Sequence, residues 1–209
     1  INVPDDSVDN RAPADALLQT KDDFVFNGLQ IYHKAAIVQN QFTINLSGGK
    51  TLTIEGDTVG LLESGQLKDS TQGNHIFHVI GQNSQLVLAG NVDLVIEQSK
   101  GPKEIGANLL YTQQHATSII GVEGATVRMW SIAQSPDLIS AKNNGTVKFL
   151  STNNQLVGTI DLMDSKNNGN GPNSVEITFS GPDAYWFGDE KTYMNSDWIF
   201  TSEYENWNR

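Results

Sequence analysis

The sequence predicts an all-β chain of stacked strands, a β-solenoid, on three observations. Short segments alternate apolar and polar residues at every second position, the period of a half-buried strand. Each follows a glycine or asparagine turn, and the unit returns five times: Gly48 to Ile54, Gln82 to Leu88, Gly124 to Met129, Asn144 to Phe149 and Pro172 to Phe179. Almost no helical periodicity lies between the copies.

Residues 1–20 read as a lead-in. Pro4, Asp5, Asp6, Asp9 and Pro13 make it polar and broken, and Ala14 to Thr20 suit one or two helical turns capping the open end of a stack. Residues 21–188 form the stack itself. Phe24 to Phe26, Leu29 to Ile31, Ala36 to Val38 and Phe42 to Leu46 precede the first copy. His75 to Ile80 leads into the second, and Val92 to Ile96 follows it. Leu109 to Tyr111, Ser118 to Ile120 and Leu138 to Ile139 fill the middle, and Gln155 to Leu162 leads to the last copy. The copies recur at intervals of roughly 20 to 40 residues, the scale of solenoid repeats. With about 20 to 25 residues to a coil, the wide gaps predict one and a half coils, or one coil with a long loop. Loops are expected at Gly65 to Asn74, Gln98 to Ala107 and Asp164 to Asn173. Residues 189–209 form an aromatic C-terminal cap or the start of a linker.

Composition bounds the function. The 209 residues carry a formal net charge of −11 and only 18% charged side chains. The acidity opposes a phosphate backbone and an anionic membrane surface, and no apolar run is long enough to span a bilayer. There is no cysteine, so disulfides, thiol nucleophiles and cysteine-ligated metals are excluded. The start at Ile1 suggests a mature or excised fragment.

The stretches Gly49 to Gly56, Asn83 to Leu88 and Asn144 to Phe149, with the closing Val175 to Phe179 and Gly181 to Phe187, resemble the pectate-lyase-like adhesive domains of Gram-positive surface proteins. The resemblance covers about Phe24 to Phe187. It implies a right-handed parallel β-helix, a secreted chain displayed at the cell wall, and adhesion to a host or environmental glycan or glycoprotein, alongside other domains of the same surface protein.

A pectate-lyase-like fold raises lyase or hydrolase chemistry, which needs clustered carboxylates with a base or a general acid. The carboxylates are scattered in sequence, and arginine occurs only at Arg11, Arg128 and Arg209. Arg128 alternates with Val127 and Met129 and is expected to face solvent. His75 and His78, three apart on a strand, fall on opposite faces and cannot share a metal. Asp164 and Asn168 have part of a calcium-loop pattern, but Lys166 stands where a ligand belongs. The expectation is therefore no catalytic residue and no cofactor, calcium being the one metal the pattern allows. Asn45-Leu46-Ser47 and Asn144-Gly145-Thr146 match the glycosylation sequon, a match common by chance. A structural stalk is a further reading of the same pattern.

Aromatics supply the candidate contacts. Three of the four tryptophans and three of the five tyrosines fall between Asp183 and Trp207. Trp186, Tyr193, Trp198, Tyr204 and Trp207, interleaved with acids, suit a glycan or peptide patch or, more simply, a cover for the last coil. Trp130 alternates with Met129 and is expected on an exposed lateral face, the better isolated ligand contact. The outward positions Thr53, Gln85, Arg128, Lys148 and Glu176 share no chemistry, which places a specific site in the loops or at the aromatic end.

Overall fold

The computed structural model describes residues 18–20, 22–35, 44–64, 75–98, 108–131, 137–162, 173–188, 190–191 and 197–202. Among them there is no helix. The chain winds as a parallel β-helix in which each full coil contributes one strand to each of three sheets.

The first coil comprises β1 (Leu18–Thr20), β2 (Phe24–Phe26) and β3 (Leu29–Ala35). The second comprises β4 (Ile44–Leu46), β5 (Thr51–Ile54) and β6 (Thr58–Ser64), and the third β7 (His75–Ile80), β8 (Gln85–Leu88) and β9 (Val92–Gln98). Then come β10 (Asn108–Gln113), β11 (Thr117–Ile120) and β12 (Thr126–Ser131), and β13 (Asp137–Lys142), β14 (Thr146–Phe149) and β15 (Asn153–Val157). The last full coil is β16 (Thr159–Asp161), β17 (Ser174–Phe179) and β18 (Tyr185–Phe187); β19 (Glu190–Lys191) and β20 (Asp197–Ser202) begin another. Sheet I runs β1-β4-β7-β10-β13-β16-β19, sheet II β2-β5-β8-β11-β14-β17-β20, and sheet III β3-β6-β9-β12-β15-β18. Their strand pairs are parallel.

In-register stacking places like positions of successive coils above one another. Sheet I buries Ile44, Phe77, Leu110, Ile139 and Ile160 as one inward column. Sheet II buries Leu52, Leu86, Ser118 and Val147. Sheet III stacks Leu94, Met129 and Leu156, all fully buried. Each such aliphatic side chain contributes about 1.5–3 kcal/mol by leaving water. Two polar residues that enter the core pair with each other: the Thr112 and Ser118 hydroxyls lie 2.7 Å apart between sheets I and II.

The structure departs from the expectations at the N-terminal end and adds detail to the repeat. Leu18–Thr20 is not helical but pairs in parallel with β4, so backbone pairing at the sheet edge overrides local propensity; Ala14 to Leu17 lie outside the described residues. The five repeat copies do not share one sheet. Four begin sheet II strands (β5, β8, β14 and β17), whereas Thr126 to Met129 belongs to β12 of sheet III. The sheet II strand of that coil is Thr117–Ile120, whose turn carries Gln114 and His115 instead of a glycine or asparagine. Sheet II strands begin at residues 24, 51, 85, 117, 146, 174 and 197, so one coil takes 23 to 34 residues, and the widest gap between copies, from β8 to β12, spans one and a third coils. Beyond residue 188 the stacking continues, with β20 paired to β17 over six residues. Of the loops expected at Gly65 to Asn74, Gln98 to Ala107 and Asp164 to Asn173, all but Gln98 and Asn173 lie outside the described residues.

Candidate functional site

Alternation along sheet III turns two columns of side chains outward. One contains Val59, Asp93, Arg128, Gln155 and Tyr185, the other Leu61, Val95, Trp130, Val157 and Phe187. Neighbouring rungs are about 4.8 Å apart, so side chains 27 to 35 positions apart in sequence become direct neighbours.

Arg128 and Asp93 form a two-pronged ion pair: Nε donates to Oδ1 at 2.6 Å and Nη2 to Oδ2 at 2.5 Å. The Asp93 carboxylate, by hydrogen bonding first and then by charge, raises the Arg128 pKa, and Tyr185 two strands away adds to this. The guanidinium carbon also lies 4.8 Å from the centre of the Trp130 ring, a cation–π contact. Asp93 and Trp130 together therefore hold the guanidinium in place. Its side chain remains 38% exposed and available to a partner.

Trp130 is half-buried on this face, and its indole N–H is buried with no hydrogen-bond partner. Such a donor costs about 1–3 kcal/mol. Val95 beneath the same column is buried, whereas Phe187 at its end is 76% exposed. The result is an apolar and aromatic column bordered by an oriented arginine and a tyrosine. Tryptophan, tyrosine and arginine are the side chains that dominate binding energetics.

The other expected contacts divide. Trp186 does not join the outward face. It packs against the core, with its indole Nε1 donating to the Gly158 carbonyl at 3.0 Å, so it covers the last coil. Trp198 occupies the β20 position paired with Val175, and its side chain lies outside the described set. Tyr193, Tyr204, Trp207, Asp164 and Asn168 also lie outside the described residues. Asp93, Gln155, Tyr185 and Phe187 were not singled out from the sequence. A coil-aligned register pairing Asp93 with Arg128 and Gln155 with Tyr185 would have found them.

Three carboxylates on the sheet faces are matched to cations. Besides Asp93 with Arg128, Asp161 pairs with Lys142 at 2.7 Å and Glu176 with Lys148 at 3.6 Å. Among the described residues no group of three or more His, Asp or Glu side chains is placed to hold a metal. On sheet I, His78 stacks on Tyr111 with ring centres 5.0 Å apart, and its Nε2 lies 2.8 Å from the Gln113 amide nitrogen. The Tyr111 hydroxyl donates to the Gln113 side-chain Oε1 at 3.1 Å, closing the network. Burial lowers the His78 pKa to about 4.

No family model, no curated protein and no solved structure matches this chain.

Proposed function

We propose that this chain is a non-catalytic binding module of a surface-displayed protein, with the setting of a Gram-positive wall adhesin, and that the outer face of sheet III recognises a polysaccharide or glycoprotein glycan. The observation that carries this reading is the continuous outward column of Trp130, Val157 and Phe187 beside Arg128 and Tyr185. Aromatic faces stack on the C–H faces of sugar rings, while an arginine fixed by a carboxylate donates to hydroxyl or carboxylate oxygens. The pairing of Asp93, Asp161 and Glu176 each with its own cation favours binding over hydrolysis or elimination.

The test is binding of the purified chain to arrays of immobilised polysaccharides and host glycoproteins, comparing wild type with Phe187→Ala and Arg128→Ala. Each substitution is expected to weaken binding about tenfold, the loss of roughly 1.4 kcal/mol, with thermal stability nearly unchanged. Binding equal to wild type in the double variant would remove this face from recognition. An absence of binding to any surface would leave a spacer.

A further inference from the structure

The vertex opposite sheet III, where sheet I strands turn into sheet II strands, contains a step. The connections of the second and third coils have four residues each, 47–50 and 81–84, and those of the fourth and fifth have three, 114–116 and 143–145. The shorter turns pack closely against the coil. A Cβ at Gly145 would collide with the Thr112 carbonyl, and Ala116 is buried. The step leaves a hollow of about 440 Å³ lined by Gly81, Gln82, Gln114, His115, Asn143 and Asn144.

The lining side chains are four carboxamides and an imidazole, with neither a carboxylate nor a cation among them. Backbone geometry presents them: Gln114, His115, Asn143 and Asn144 all adopt left-handed φ, from 49° to 65°. Asparagine tolerates this conformation, but two successive non-glycine residues in each of two stacked turns carry conformational cost. The turns are locked by hydrogen bonds from Gln114 N to Lys142 O and from His115 N to Asn143 O, both 3.2 Å. Asn144 N also donates to Asn173 Oδ1 at 2.9 Å.

One polar group in the hollow is unsatisfied. The Asn144 amide nitrogen lies 3.1 Å from His115 Nε2, while its Oδ1 is buried with no partner. Turning the amide over exchanges the two atoms and leaves the other one orphaned. Either state costs free energy that a ligand can recover. Asparagine χ2 is a broad torsion, so a modest rotation presents the orphan to the hollow. A hydroxyl donates and accepts, and so fits a carboxamide in either orientation.

We infer that this hollow is a second binding site, separate from the sheet III face, for a neutral saccharide held by hydroxyl-to-carboxamide hydrogen bonds. An anionic ligand finds no cation in the lining and a cation finds no carboxylate, which leaves an uncharged polyol as the matching chemistry.

The test is an NMR titration of the full ¹⁵N-labelled chain with neutral hexasaccharides of glucose, mannose and N-acetylglucosamine, and with hexagalacturonate as the anionic comparison. Saturable shifts of the side-chain amides of Gln82, Gln114, Asn143 and Asn144 with a neutral sugar, and not with the uronate, are expected. Asn144→Gly keeps the left-handed turn and removes the amide, and should weaken binding at least tenfold. His115→Asn also suits the turn and should weaken it similarly. Unchanged backbone signals elsewhere establish that each variant is folded. Trp130→Ala should leave these shifts intact, which separates this site from the sheet III face. Absence of shifts in the hollow with every neutral sugar would overturn the inference, as would equal binding by both turn variants or a preference for the uronate.

Discussion

Arg128 shows how context alters a single residue. By alternation it is a solvent-facing side chain, and it does face outward; what alternation omits is Asp93 on the adjacent rung and the Trp130 ring beside it. A pair this exposed adds about 0.2–1 kcal/mol to stability, so its larger effect is to orient the guanidinium. His78 behaves differently because burial, and not charge pairing, sets its state. Its folded pKa, about 4, lies below the unfolded value of 6.5, so the unfolded chain binds the extra proton between these limits. His78 therefore contributes stability that is full above pH 6.5 and is lost as pH falls through 4, on the order of 3 kcal/mol in total. Urea unfolding at pH 7, 5.5 and 4 should show a steeper decline for wild type than for His78→Gln. Parallel declines would assign the acid sensitivity to other groups.

At the scale of elements, the corners decide register. Where sheet II turns into sheet III, Thr58 N donates to the Asn91 carbonyl at 2.8 Å and Leu29 N to the Asp57 carbonyl at 3.0 Å. The Asp57 carboxylate accepts from both the backbone and the side-chain amide of Asn91 at 3.1 Å. Asn91 Oδ1 in turn accepts from Thr126 N at 3.0 Å. Backbones approach so closely here that a Cβ on Gly90 would enter the Gly56 carbonyl. Gly90→Ala should cost about 3 kcal/mol, because rigid backbone, not a flexible side-chain end, must move. Gly48→Ala meets open space and is strained only by its φ of 72°, an expected cost of about 1 kcal/mol. Urea midpoints of the two variants test that order. The strands themselves were legible from alternation. Their assignment to sheets was not, because Thr117–Ile120 and Thr126–Ser131 have the same inward–outward grammar yet belong to sheets II and III.

Across the whole molecule, the cost of the solenoid is its two ends. Phe24 and Val25 are exposed on β2 at one end, while at the other Trp186 and β20 cover the last coil. Truncation after Lys191 removes β20 and leaves the β17 edge unpaired. Unpaired edges template association, so the truncated chain should form higher oligomers by size-exclusion chromatography with light scattering. A monodisperse product would mean that β20 is dispensable as a cover. The two proposed sites lie on different sides of the solenoid, and each is assembled from several turns of the chain, so neither belongs to a contiguous sequence motif.

The sequence by itself determined that this is an all-β stack, that the alternate apolar positions of the repeat copies point inward, and that Trp130 and Arg128 point out, because a period of two is a local property of the extended backbone. Only the tertiary structure decided which strands share a sheet, that Trp186 faces the core, that Asp93 holds Arg128, and that a change in turn length opens a polar hollow at residues 81–144. The physical reason is that coil lengths vary between 23 and 34 residues. Neighbours across rungs are therefore set by hydrogen-bond register between coils, a long-range quantity that alternation along a single strand does not contain.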